Sequence, residues 1–238
     1  MRTLFEHGTL ATLMAANLDG TITLEELLKH GSQGLGTFVG LDGEVVILDG
    51  EVYQAVSSGK VNKITDMKQK LPFASVHFPE AQYKIQLNEG NFEIVNKELP
   101  KKYELQNVFA AINLKGEFPF IHTRIAAKQV KPYPSLLEVA QDQAEFTYEN
   151  IKGTIVGYYA PEIFNSVTAG GWHLHFISDD RQVAGHILEF RGENLTGNLE
   201  VFDTFEQHFP VEDQEFRRGT VNLETLKADI AASEGNDD

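Results

Sequence analysis

The sequence predicts an α+β fold: two sheet-rich subdomains with mixed or antiparallel sheets and a few short helices. Three observations carry that reading. Short β-branched and aromatic runs separated by Asp-Gly turns fill the region after residue 40. Helical signals are confined to a few short segments. A Pro132-Tyr133-Pro134 stretch then reads as a linker, dividing the chain into an N-terminal sheet-rich domain, 1–130, and a C-terminal domain, 131–238.

The first predicted helix starts at Thr23, a good N-cap, with Glu26 three residues on as a capping-box partner. Ile22 and Leu27 form a hydrophobic staple, Leu24, Leu27 and Leu28 the apolar face, and Gly31 the stop. A meander follows. Asp42-Gly43 and Asp49-Gly50 are two-residue hairpin signals around the strands 44–48 and 51–56. Further strands are predicted at 75–78, 83–87 and 92–95. A helix is predicted over 103–114, because Leu105, Val108, Phe109 and Ile112 share one helical face and Gly116 ends it. After a helix at 135–141, the second half reads as strands at 145–151, 154–159, 173–177, 186–190 and 199–203. A last helix spans 223–232, and the acidic tail 233–238 has the composition of a disordered end. No fixed-period repeat is visible.

Composition excludes several classes of function. The formal net charge is −15, which repels nucleic acid and anionic membranes. There is no cysteine, so thiolate metal sites, disulfides and cysteine nucleophiles are excluded. No apolar run has signal-peptide or membrane-span length, and a cytoplasmic location is expected.

The segment Gly170-Gly171-Trp172-His173-Leu174-His175-Phe176 carries the strongest chemistry. In a strand, His-Leu-His puts both imidazoles on one face. Asp179-Asp180-Arg181-Gln182 reads as a turn, returning His186 on an antiparallel partner. Three imidazoles can then converge as a nitrogen set for zinc, with a position open for substrate. Wet sheet faces also carry paired histidines, so spacing leaves metal binding and an ordinary surface role equally open. His7, His30, His77 and His208 are isolated in the sequence and read as structural or exposed; His122, beside Arg124, is a weak site candidate. By local sequence, Glu44 reads as an exposed strand-end carboxylate and Glu234 as a solvated tail residue. Arg124 sits among apolar neighbours, so its charge needs a partner.

Gly34-Leu35-Gly36-Thr37-Phe38, Leu41-Asp42-Gly43-Glu44 and Asp49-Gly50-Glu51-Val52-Tyr53-Gln54 resemble the amino-terminal signature of the bacterial alpha-acetolactate decarboxylases. Phe120-Ile121-His122-Thr123-Arg124 is similar to that family's arginine segment. The 171–176 run with Gly185-His186 is similar to its zinc motif. The likeness runs from about residue 3 to the last predicted helix. It implies zinc held by His173, His175 and His186, proton transfer by Glu44, and an anion contact from Arg124. It also implies Thr37 as a polar pocket residue near the metal and a tail glutamate, Glu234, entering the site. A homodimer releasing (R)-acetoin from 2-acetolactate is implied as well, with no organic cofactor. Two rival readings stand beside it: a zinc hydrolase that uses the same three histidines with Glu44 as base, and a non-catalytic small-molecule binding module that keeps the fold only.

Overall fold

The computed structural model describes residues 1–222, 224–226 and 228–230. The strands in chain order are β1 (Thr3–His7), β2 (Ile22–Thr23), β3 (Gln33–Thr37), β4 (Glu44–Leu48), β5 (Glu51–Ala55), β6 (Val61–Ile64) and β7 (Lys70–Leu71). They continue as β8 (Phe73–His77), β9 (Tyr83–Asn91), β10 (Ala110–Ile125), β11 (Ala144–Ala160), β12 (Gly171–Ser178), β13 (Ala184–Val201) and β14 (Thr204–His208). The fold is α+β, with short helices at Leu10–Met14, Leu24–Leu27, Leu99–Lys102, Leu136–Ala140 and Gln214–Arg218.

One sheet runs β14-β1-β8-β3-β4-β5-β6, and β2 pairs separately with β7. It is antiparallel except where β14 joins β1 in parallel. The other sheet runs β10-β11-β12-β13-β9, and an additional β10–β13 pairing closes β10, β11, β12 and β13 into a ring. Sheet membership does not follow a division at 130/131. β9 and β10 lie in the second sheet, and β14 returns to the first. Val46, Leu48, Tyr53 and Ala55 of the first sheet pack on Ile125, Val156, Ile177 and Ala184 of the second. Each fully buried aliphatic side chain contributes roughly 1.5–3 kcal/mol, so this seam fixes one sheet against the other.

Local signals explain several elements. Thr23 accepts the Glu26 N–H, starting the helix at Leu24, and Ile22 and Leu27 share one buried cluster. Ser135 and Glu138 form a reciprocal capping box at the helix Leu136–Ala140. Asp49 and Gly50 both take positive φ, 54° and 77°, and join Leu48 to its partner Glu51 in a two-residue turn.

Other expectations are corrected. Asp42-Gly43 is not a two-residue hairpin; it ends the longer connection between β3 and β4. Residues 92–95 are not a strand: they fall in helical turns that include the π-helix Ile94–Glu98. The predicted helix 103–114 shrinks to the 3-10 turn Leu105–Asn107, and β10 begins at Ala110. The apolar run at 110–114 is buried between two neighbours, pairing with β11 on one side and β13 on the other, and this pairing overrides helical spacing. Strands expected at 145–151 and 154–159 are one strand, β11, and those expected at 186–190 and 199–203 lie on one long β13. Of the last predicted helix, residues 226 and 228–230 are helical. The tail 233–238 lies outside the described residues. Among the described residues no helix is long and apolar enough to cross a membrane.

Candidate active site and metal centre

Strand register assembles the site. Arg124 on β10 sits opposite His186 on β13, and His186 sits opposite His175 on β12. The three therefore form a row across neighbouring strands, with His173 two residues along β12 on the same face. Ser178 and the turn at Asp179–Gln182 return the chain as expected, with Arg181 at φ 60°. One ligand atom from each of His173, His175 and His186 lies within 4.8 Å of the others.

The first sheet supplies the opposite wall. Glu44 opens β4, and its Oε1 accepts the Ala126 N–H at 3.3 Å. Its Oε2 stands 3.4 Å from His175 Nε2. The loop that delivers Glu44 requires glycine at 43: φ is +77°, and a Cβ there would lie 2.0 Å from the Ala55 carbonyl oxygen. Thr37 braces the same loop, its hydroxyl donating to the Gly43 carbonyl at 2.8 Å. Leu10, Leu13, Leu41, Phe73 and Leu136 supply apolar walls. The pocket is small, about 60 Å³.

The residues fit a bound metal ion on chemical grounds. His175 Nδ1 meets the Val45 carbonyl at 2.9 Å. A carbonyl only accepts, so Nδ1 carries the proton. Burial holds His175 well below the ordinary imidazole range, with His173 and Arg124 adding to it. The ring is therefore neutral and its Nε2 is a bare lone pair aimed at the cluster. Burial, reinforced by Arg124, lowers His173 to about 3, so it is neutral too. His173 Nε2 lies 3.2 Å from His175 Nε2. Arg124 Nη2 lies 3.2 Å from His186 Nε2, and a guanidinium only donates, so that nitrogen also presents a lone pair. Neutral imidazoles whose ring nitrogens converge in a buried pocket could hold a cation between them, and three imidazoles suit a first-row transition metal.

A family model described as Alpha-acetolactate decarboxylase matches residues 4–223. The chain belongs to the alpha-acetolactate decarboxylase family. An alpha-acetolactate decarboxylase of Lactococcus lactis subsp. lactis is 40% identical over 233 residues, covering 97% of this chain and 98% of the relative. A Staphylococcus aureus structure, described as a protein of unknown function similar to alpha-acetolactate decarboxylase, superposes with a TM-score of 0.94 at 35% identity. That match covers 98% of this chain and 100% of the other. The crystal structure of alpha-acetolactate decarboxylase from Bacillus subtilis strain 168 also gives a TM-score of 0.94, at 29% identity over 98% of this chain and 99% of that one.

Of the residues singled out in the sequence, His173, His175, His186, Glu44, Arg124 and Thr37 line this one pocket. Glu234 lies outside the described residues. His122 is not part of the lining; its Nε2 is 2.9 Å from Glu145 Oε2. Two histidines that look isolated in the sequence, His7 and His77, are fully buried and bonded to distant partners. Sequence reading missed the apolar wall at Leu10 and Leu13, although Thr9 as N-cap and the i, i+3 leucines were available as signals. It also missed Gln143, which lines the pocket and carries no local signal.

Proposed function

We propose that the protein is a zinc-dependent acetolactate decarboxylase, converting 2-acetolactate to acetoin and carbon dioxide. The observation that carries the reading is the convergence of three imidazoles with Glu44 and Arg124 in one small pocket. Membership of the decarboxylase family supports the choice of substrate. Held by His173, His175 and His186, zinc would supply a Lewis acid for the charge that develops as carbon dioxide leaves.

The remaining chemistry belongs to the side chains. Arg124 orients the substrate carboxylate with its planar donor fork before that group departs. The electron pair left on the α-carbon delocalises into the neighbouring ketone. One proton must then be added to carbon, which balances acetolactate anion plus H⁺ against acetoin plus carbon dioxide. Glu44 Oε2 delivers that proton, and the Ala126 N–H on Oε1 fixes the carboxyl group in place. Leu10, Leu13, Phe73 and Leu136 limit entry of water, so protonation from bulk solvent on the wrong face is suppressed.

Glu234 is proposed as a second acid that the tail brings to the site. The family resemblance supports a homodimer and (R)-acetoin as product, and a cytoplasmic location is proposed alongside them. Deleting 233–238 tests the tail: the expected result is slower turnover and lower enantiomeric purity, and identical rate and purity would remove Glu234 from the site.

The overall reading is tested by incubating purified protein with racemic 2-acetolactate and following acetoin. Release well above the spontaneous rate, abolished by a chelator and restored by zinc, is expected. A protein that releases no acetoin but hydrolyses esters in a zinc-dependent way would instead support the hydrolase reading.

A further inference from the structure

Gln143 lines the same pocket as the three histidines, Glu44 and Arg124, and none of the reaction steps above uses it. It stands one residue before Ala144, whose pairing with Ile125 ends the β10–β11 ladder, on the neighbouring strand to Arg124. Its Oε1 is withdrawn from solvent and accepts no hydrogen bond among the described residues. A buried amide oxygen left in that state is destabilising, so a ligand donor brought within reach of it would be stabilised.

We propose that Gln143 is a specificity-determining residue: its amide oxygen accepts the hydrogen bond of the substrate's tertiary hydroxyl. The inference rests on the decarboxylase reading and on an inventory of donors and acceptors. In 2-acetolactate the carboxylate and the ketone only accept. The hydroxyl is the sole donor. Arg124 is a pure donor and matches the carboxylate. The Thr37 hydroxyl already donates to Gly43. Glu44 Oε1 already takes the Ala126 N–H, and Oε2 faces His175 Nε2 at 3.4 Å and is assigned the proton that the reaction delivers. The histidine ring nitrogens are turned toward one another in their own cluster. Gln143 Oε1 is the acceptor among these groups with no hydrogen bond of its own, and the hydroxyl is the ligand group that satisfies it. A site built to take a hydroxyl discriminates against a methyl at that position, because the methyl leaves the acceptor buried and unpaired.

The test uses two stable carboxylates that differ only by hydroxyl for methyl, 2-hydroxy-2-methylbutanoate and 2,2-dimethylbutanoate. Their binding to the metal-loaded protein is measured by calorimetry, so the readout does not depend on turnover. The parent should prefer the hydroxy acid, and Gln143→Leu should reduce that preference by about tenfold. Gln143→Glu keeps an acceptor oxygen and should retain the preference, since its added charge weakens both anions alike. Gln143→Met, unbranched and close in shape, serves if the leucine variant folds poorly. Metal content and melting temperature should match the parent throughout. An unchanged ratio in the leucine or methionine variant, or equal weakening of both ligands, overturns the assignment. Acetoin release by the parent is scored separately. Its absence sinks the decarboxylase reading, whereas an unchanged ratio with acetoin release intact sinks only the role of Gln143.

Discussion

The face between the two sheets buries polar side chains in two places, and the two behave in opposite ways. In one, His77, Tyr158, Gln33 and Asn113 pair off donor to acceptor. The Tyr158 hydroxyl donates to the Gln33 carbonyl at 2.9 Å, so His77 Nδ1 must donate to Tyr158 at 2.7 Å. The Asn113 amide donates to Gln33 Oε1 at 2.7 Å. His77 Nε2 makes no hydrogen bond but faces Glu200 Oε1 at 3.8 Å. In the other, the bare His175 Nε2 is met by His173 Nε2 at 3.2 Å and by Glu44 Oε2 at 3.4 Å, and ring nitrogens of three histidines converge. Tyr158 sits directly opposite His173 on the neighbouring strand, so the two places are adjacent. Similar residue types give a hydrogen-bonded network in one place and a cluster of converging ring nitrogens that could hold a metal in the other.

Substitutions in the two places should have different outcomes. The largest effect is expected from Glu44→Gln. The amide can still accept from Ala126, so fold and metal content should hold while kcat falls by roughly 10²–10⁴-fold; a variant with near-parent turnover would return Glu44 to a structural role. Arg124→Lys comes next. It keeps the charge and loses the planar fork, so kcat/KM should fall by on the order of 10²-fold with metal content unchanged. Near-normal kinetics would leave Arg124 as a strut for His186. In the paired network the outcome should invert. Tyr158→Phe leaves the Gln33 carbonyl and His77 short of a partner, lowering stability by about 1–3 kcal/mol in a denaturant melt, with acetoin release per folded molecule unchanged.

An effect of a different kind, on the pH dependence of stability, is expected from Glu6, a third buried polar site. Its Oε2 accepts the Ser75 hydroxyl at 2.9 Å, and burial pushes the carboxyl from 4.5 up to about 8. A raised pKa means the folded state holds a proton that the unfolded chain releases above 4.5. Its stability contribution is complete below 4.5 and is lost as pH rises through about 8. Glu6→Gln removes this titration. The melting temperature of the variant relative to the parent should therefore climb between those two pH values and then level. A flat difference across that range would contradict the buried protonated carboxyl.

What was legible in the sequence was local. The His173–His175 spacing fixed one face of one strand, and the turn after Ser178 returned His186 to it, because period and turn chemistry act within a dozen residues. Asp49-Gly50 was legible for the same reason. The length of β11 was not. Asn150 has positive φ and Lys152-Gly153 reads as a break, yet the strand runs through because β10 pairs along it on both sides of that point. Leu105, Val108, Phe109 and Ile112 kept helical spacing, and only pairing with strands far along the chain showed that Ile112 lies in β10. The roles of Glu44 and Arg124 came from family resemblance, since neither residue announces its partner 60 to 130 positions away. Gln143 has no local signature, and only the assembled pocket reveals it.

On the proposed reading, the converging imidazoles of His173, His175 and His186 hold the metal on which decarboxylation depends. That reading is tested most directly by measuring metal content and acetoin release on the same preparations of the parent and of a His173→Ala, His175→Ala double variant. The parent should carry about one zinc per chain and release acetoin, and the folded double variant should carry none and fall to the spontaneous rate. Full metal content in the double variant, or undiminished acetoin release from metal-free parent, would contradict the account.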